Sequence, residues 1–457
     1  MNVSRRSLLG GAGVALAATT FGCDAQSAGP QAATTSDPPS AAAPATVTSA
    51  SWTVNVRDFG AKGDGRTDDS QAFITARNAI LGSRREGVPL KPVLLIPPGS
   101  YLITTPNALM EPTDVARDFI DGLTIQGAGK HVSTVLFGPH GKTSDPDALN
   151  LMTWRNTSTG GGRVINFRCR DISFDCNNDN ASFLYSYSTS TNPNHDILFE
   201  NVEWSGSWRR VIGLDGPDDT ANLNSEIGLY NCETWGPTSS FGDAFFNSAV
   251  TPRDTSNQQD QFVNFWFRDC LFGWQSGHLL KFPKGGSINV FGGSWTCLGA
   301  GPYNMIWMPF HPHNFGAQRL LVMGLRVELR APGQKFINCE WLSGSVEIIS
   351  LDESAEAWQG YAPSLNAHRY RWADYNSGPI VTYRGCVLMG YHLVDTGSAV
   401  PAPGKIRYDG CLWINHASGQ INAVHGSGGL LRWSNAAPHF RFTDCYGATV
   451  TLDDANA

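Results

Sequence analysis

The sequence predicts an all-β solenoid, a stack of short parallel strands closed at its N-terminal end by one helix. Eight similar short segments recur between residues 199 and 447, and most of them carry a cysteine at one fixed place. In addition, the roughly 400 residues after position 50 show no compositional break. A single globular core stops growing near about 250–300 residues, whereas a coil grows by repetition.

The segments are "FENVEW" from Phe199, "LYNCET" from Leu229, "FRDCLF" from Phe267, "VFGGSW" from Val290, "FINCEW" from Phe336, "YRGCVL" from Tyr383, "YDGCLW" from Tyr408 and "FTDCYG" from Phe442. Aligned on their first letter, the third position is Asn201, Asn231, Asp269, Gly292, Asn338, Gly385, Gly410 and Asp444. Only Asn, Asp and Gly enter left-handed backbone at little cost, so this column marks a one-residue bend between two strands. The next column is Cys, Val or Gly, as a narrow interior beside a bend requires. The steps between segments are 30, 38, 23, 46, 47, 25 and 34 residues, which read as one turn, one turn with an inserted loop, or two turns. "VMGLRV" from Val322 fits the pattern but lies only 14 residues before Phe336.

Ten cysteines in an exported chain would ordinarily suggest disulfides. Here Cys232, Cys270, Cys339, Cys386, Cys411 and Cys445 fall on the interior column, and read as stacked, reduced, apolar side chains.

The N-terminus, "MNVSRRSLLGGAGVALAATTFGC", has Arg5 and Arg6 ahead of an apolar run too short and small-residue-rich to span a membrane. "SRRSLL" matches a twin-arginine export signal, and Cys23 is a lipidation candidate, with plain secretion as the alternative. Residues 24–50 are Ala, Ser, Thr and Pro and read as a disordered tether, leaving 51–457 as one domain. The net charge of −7 with scattered basic residues excludes a nucleic-acid footprint.

The stretch "VRDFGAKGDGRTDDSQAFITARNAI" reads as the cap over about 54–82. Asp68 and Asp69 can cap a helix whose Ala72, Phe73, Ala76 and Ile80 form one apolar stripe. Asp58, Asp64 and Asp69 then hold turns and a helix end rather than chemistry. The "DFG" letters have no accompanying kinase catalytic loop.

This stretch, with "VLLIPPGSYLI", "LTIQGAGKHVSTVLF" and "CRDISFDCNNDN", resembles the pectate-lyase-like family of right-handed parallel β-helices related to glycoside hydrolase family 28. Alginate C5-epimerases and phage tailspikes begin similarly. The resemblance implies an exported enzyme that cleaves a polysaccharide by β-elimination or hydrolysis. A uronate C5-epimerase and a non-catalytic glycan-binding surface protein are the alternatives.

In such an architecture the site is a groove on one sheet, built from successive coils. The strands expected there end at Asp215, Asp243, His278 with Lys281, His311 with His313, Glu347, His392 and His425. Asp215, Asp243 and His278 follow at 28- and 35-residue intervals, about one coil each, and are the expected catalytic group together with Lys281. A hydrolase would use two carboxylates. A lyase or epimerase would use His278 or Lys281 as base, with Arg209, Arg210 or calcium neutralising a uronate carboxylate. Arg209, Arg210, His311 and Glu347 are the expected substrate contacts. No metal site is assigned, since the His311–His313 pair lacks a third ligand nearby. Trp-rich loops ("WSGSW", "ETWGP", "LFGWQ") suit sugar stacking, while Trp204, Trp295 and Trp341 are expected in the core.

Overall fold

A residue in left-handed backbone recurs at one fixed place in successive rungs, and that bend turns the coil. The bends are Asp171, Asn201, Asn231, Asp269, Gly292, Gly324, Ser350, Gly385, Gly410 and Asp444, with φ between 48° and 69°. Side-chain amides link some of them from rung to rung: Asn201 Nδ2 donates to Asp171 Oδ1 at 2.8 Å, and Asn231 Nδ2 to Asn201 Oδ1 at 3.2 Å. Gly292 follows Asp269 for a steric reason as well, because a Cβ there would stand 2.5 Å from Asp269 Oδ1.

The computed structural model describes residues 52–445 apart from 86–87, 112–119, 140–148, 157–161, 190, 218–221, 252–262, 310–317, 332, 342, 354–367, 372–377, 389–391, 396–404, 414–430 and 435–439. The chain divides into two units, Met1–Val47 and Thr48–Ala457, and every described residue lies in the second. The twin-arginine segment, Cys23 and the tether therefore lie outside the described residues.

The coil is right-handed and parallel throughout its long sheet, as crossover connections between parallel strands require. Each rung contributes to three faces. One carries the bends, through strands such as Asn264–Arg268, Ser287–Phe291, Arg319–Met323, Ser345–Ile349 and Ile380–Arg384. A second holds short strands such as Leu271–Trp274, Ser294–Cys297 and Arg326–Leu329. The third carries the candidate site, through Ser240–Asn247, Ser276–Lys281, Asn304–Met308, Lys335–Cys339 and His368–Arg371.

This pairing corrects the segment series. "VMGLRV" is a genuine rung, since Arg319–Met323 pairs with Ser287–Phe291 on one side and Ser345–Ile349 on the other. The next rung bends at Ser350, a residue type that the Asn/Asp/Gly column excludes. "FINCEW" belongs to another face, because Lys335–Cys339 pairs with Asn304–Met308. The corrected steps are 30, 38, 23, 32, 26, 35, 25 and 34 residues, with no rung skipped.

The interior column after the bend reads Val202, Cys232, Cys270, Gly293, Leu325, Leu351, Cys386 and Cys411, and all its hydrophobic members are buried. All nine described cysteines are free thiols. Burial pushes the Cys232 thiol well above its ordinary value, as expected of a small apolar side chain. Cys339 is equally buried but belongs to the groove face, and Cys445 is only partly covered.

The cap helix Ser70–Gly82 buries Ala72, Phe73, Ala76 and Ile80, with Phe73 edge-on to Tyr101 at 5.6 Å. Its start differs from the expected cap. Asp69 occupies the N-cap position but makes no capping bond to the helix; its carboxylate accepts from the Lys62 and Gly63 amides at 2.7 and 3.0 Å. Asp68 instead accepts from the Ser70 amide at 3.0 Å. Asp64 accepts from the Arg66 and Thr67 amides, holding a turn. These aspartates are engaged by backbone.

Asn231→Ala is expected to cost about 1–2 kcal/mol, since alanine pays for left-handed backbone that asparagine tolerates. Asn231→Gly should cost less than Asn231→Ala despite losing the same amide bond. Denaturant midpoints of the two variants give the comparison, and equal midpoints would show that the bend is not what the column selects.

Candidate active site

Strand register assembles the site. Gly213, Asn247, Lys281, Trp307, Asn338 and Arg369 pair in succession across six strands. The adjacent column, Ile212, Phe246, Leu280, Ile306, Ile337 and His368, is fully buried. Side chains alternate across a strand, so the first column faces away from the core. The register of Ser240–Asn247 against Ser276–Lys281 shifts between Ser240 and Ala244, an irregularity that re-aims side chains. Asp243 lies within that irregular stretch and meets the column through Asn247 and Lys281.

Asp243 is the hub. Lys281 Nζ donates to its Oδ1 at 2.9 Å, Asn247 Nδ2 donates to its Oδ2 at 2.8 Å, and Arg210 Nη1 lies 3.8 Å from Oδ2. Burial raises the carboxyl, but Lys281, Asn247 and Arg210 together outweigh it and hold Asp243 below the ordinary carboxylate range. Lys281 also lies over the Trp307 ring at 5.1 Å, and His278 packs on that ring at 4.7 Å. Asp243, His278, Tyr303 and Trp307 line a cleft of about 340 Å³.

The backbone amide of Asn304 donates to His278 Nδ1 at 3.1 Å. An amide N–H can only donate, so Nδ1 holds the lone pair and the neutral ring carries its proton on Nε2. Burial first, then Lys281, pushes His278 down to about 4. His278 is thus a neutral N–H donor across the ordinary pH range.

Two further buried histidines behave alike. Burial pushes His368 down to about 3 and His392 well below its usual value. A depressed histidine contributes stability that is fully present above the unfolded value of 6.5 and is lost as pH falls through the folded one. Unfolding between pH 6.5 and 4 should therefore take up protons, at about 1.4 kcal/mol per pH unit for each proton. His278→Asn should flatten that fall, read as melting temperature against pH; an unchanged slope would place the proton uptake elsewhere.

The remaining expected residues are spread out. Asp215 is buried, accepting from Tyr185 Oη at 2.8 Å and Thr251 Oγ1 at 2.6 Å. Its carboxylate is thus engaged beneath the surface, and it does not line the cleft that Asp243 lines. Arg209 flanks the cleft beside Gly242, whereas its neighbour Arg210 reaches Asp243. Glu347 stands on the bend-bearing face, 3.5 Å from Arg384, because its strand is the rung that Ser350 disguises. His392 is buried, with Nδ1 2.7 Å from Tyr408 Oη. His311, His313 and His425 lie outside the described residues. Of the tryptophans, Trp208 and Trp274 are core alongside Trp204, Trp295 and Trp341, and only Trp235 of the named loops is exposed.

Asn247, Tyr303, Asn304 and Trp307 complete the site without having been singled out from the sequence. Among the described cleft residues the donors do not suit calcium, which takes six to eight oxygens, since their one carboxylate already faces two cations.

The family described as rhamnogalacturonase A/epimerase, pectate lyase-like, matches residues 53–277. The mannuronan C5-epimerase AlgE4 of Azotobacter vinelandii is 33% identical over 181 residues, covering 37% of this chain and 28% of that protein. A probable glucan endo-1,3-beta-glucosidase of Arthroderma benhamiae is 23% identical over 219 residues, covering 47% and 22%. The chain thus spans less than a third of the length of either curated relative. The A-module structure of the Azotobacter vinelandii mannuronan C-5 epimerase AlgE6 gives a TM-score of 0.40 at 15% identity, covering 86% of this chain and 99% of that one. Residues 53–277 thus match the pectate-lyase-like family, and the described residues have the architecture of a right-handed parallel β-helix.

Proposed function

We propose that this protein acts on an acidic polysaccharide by removing the proton beside a uronate carboxylate, as a lyase or a C5-epimerase. One observation carries the choice over hydrolysis. Among the described cleft residues there is a single carboxylate, Asp243, and it is locked to Lys281 and Arg210. Hydrolysis needs two carboxyl groups, one to protonate the leaving oxygen and one to activate water or attack. With Asp215 turned into the core, that pair is not assembled.

Proton removal needs different parts, and the site offers them. A cation must neutralise the uronate carboxylate so that charge can build on it as the C5 proton leaves. Lys281 and Arg210 supply positive charge, and Asp243 positions both. The cations continue along this face with Lys335 and with Arg369, which is paired with Glu340 at 3.2 Å, so that Lys281 to Arg369 spans three rung spacings, roughly 14 Å at about 4.8 Å each. An extended polyanion matches that stripe. His278 donates through Nε2, which suits a hydrogen bond to a sugar oxygen. Tyr303 is the wall's remaining proton carrier. Tyr303, entering as the phenolate, takes the C5 proton. The C5 electron pair then either expels the O4 substituent, which takes that proton from Tyr303 and leaves an unsaturated uronate, or recaptures a proton from solvent on the opposite face while Tyr303 returns its own to solvent. The similarity to a mannuronan C5-epimerase supports the epimerase arm of this reading, and the family match supports action on a polysaccharide.

Export by the twin-arginine route, with or without a lipid on Cys23, would deliver the enzyme to such polymers and is part of this proposal. Incubation with polymannuronate, polygalacturonate and a β-1,3-glucan decides the reaction. Ultraviolet-absorbing unsaturated ends indicate elimination, and C5 inversion by NMR with unchanged chain length indicates epimerisation. New reducing ends without unsaturation would overturn proton abstraction in favour of hydrolysis. Binding without turnover would leave a glycan-binding protein.

A further inference from the structure

Away from the groove, a turn from an early rung is laid across two later ones. The segment 127–132 joins strands Thr124–Gln126 and Ser133–Phe137. It is pressed flat on the next rung: a Cβ on Gly127 would stand 2.2 Å from the Asp171 carbonyl oxygen. His131 is held in left-handed backbone at φ 62°, with its amide donating to Ser173 Oγ at 2.9 Å.

Ser173, Glu203 and Glu233 are register partners on consecutive rungs. Two carboxylates therefore stack about one strand spacing apart, roughly 4.8 Å, an arrangement that is unfavourable without a cation between them. Glu203 is 4% exposed, so its charge must be matched locally. Ser173 Oγ donates to Glu203 Oε2 at 2.6 Å, and His131 Nδ1 lies 3.1 Å from the same oxygen. His131 Nε2 lies 3.9 Å from Glu233 Oε1. Lys130 Nζ is 3.1 Å from Glu233 Oε1 and 3.4 Å from the Asn231 carbonyl oxygen. One ligand atom from each of His131, Glu203 and Glu233 falls within 4.8 Å of the others.

We propose that His131, Glu203 and Glu233 bind a divalent transition metal of the zinc class, clipping the 127–132 turn onto the two rungs beneath it. The 3.1 Å separation of Nδ1 and Oε2 is close to the edge of roughly 3.3 Å in a tetrahedron with bonds of about 2.0–2.1 Å. An imidazole in the set selects zinc-like ions over calcium and magnesium, which take oxygen ligands. Ser173 orients the Glu203 carboxylate from outside the ligand set, as metal sites require. Three protein ligands leave a fourth position for water. Lys130 is the built-in competitor, since its ammonium must leave Glu233 when the ion arrives. None of these residues lines the groove cleft, so the site is structural and independent of the reaction proposed above.

The test uses the full chain, stripped with a chelator and titrated with Zn²⁺ or Co²⁺ alone. One saturable equivalent is expected, with visible Co²⁺ absorption of a low-coordinate site and a melting temperature that rises with metal. His131→Asn keeps a side chain that tolerates left-handed backbone, so it isolates ligand loss, and it should weaken binding by at least about 100-fold. Lys130→Ala should tighten binding. Absence of a saturable equivalent, or equal affinity in His131→Asn, would overturn the proposal. So would a Lys130→Ala protein that melts lower without binding metal better, which would mark an ionic clasp of imidazolium and ammonium on the two carboxylates.

Discussion

Lys281→Met is expected to lower kcat/KM on the acidic polymer by about 10²–10³-fold, equivalent to about 2.7–4 kcal/mol of lost transition-state stabilisation. The side chain is 21% exposed, so methionine replaces a stem already packed on Trp307 and the fold should persist. The ammonium's loss acts twice. It removes the charge that, in the proposed reaction, meets the developing carboxylate anion, and it strips Asp243 of the partner that most strongly opposes its burial. Asp243 in the variant should therefore titrate higher than in the parent, visible as a new acid limb in the pH–rate profile. Lys281→Arg keeps the charge but changes its shape and reach, and should recover part of the rate. A Lys281→Met enzyme with unchanged kcat and raised KM would instead make Lys281 a ground-state binding residue. Unaltered kinetics would remove it from the site.

The legibility of this chain follows from where its physical constraints are local. A left-handed bend favours Asn, Asp or Gly on local grounds, so Asn201, Asn231, Asp269 and Gly292 announce their rungs in sequence. Ser350 does not, because serine carries no such local preference, and losing it from the series moved Glu347 onto the wrong face. "FINCEW" imitates the pattern because a buried strand on any face of a coil shows similar apolar letters. The pairing of Asp243 with His278 was legible because one rung separates them. The exclusion of Asp215 was not, because its burial against Tyr185 and Thr251, one of them 30 and the other 36 residues away, decides it, and such tertiary contacts leave no local mark. Tryptophans were misread for a related reason. Trp208 and Trp274 sit among small residues that suggest loops, yet those small residues are the sharp corners that let the rings turn inward; a Cβ on Gly206 would stand 2.0 Å from the Cys176 carbonyl oxygen.

Trp204→Ala is expected to cost about 3–5 kcal/mol, the range for a fully buried large aromatic truncated in a packed interior. Trp204 is completely buried and its ring centroid lies 5.5–6.4 Å from those of Phe174, Phe183, Phe199 and Phe245. These rings come from neighbouring rungs, so the cavity would open at the junction that joins one rung to the next. Trp204→Phe should cost less than half as much. The indole Nε1 is buried without a hydrogen-bond partner, so phenylalanine loses volume but also relieves an unsatisfied donor. In a coil each rung leans mainly on its neighbours, so the damage should be local rather than global. Amide hydrogen exchange gives the readout: in Trp204→Ala, protection should fall across residues 165–250 while strands beyond Ser287 keep theirs. Uniform loss along the whole coil would show that the stack unfolds as one cooperative unit, and equal costs for the two variants would show that the unpaired indole nitrogen carries no penalty.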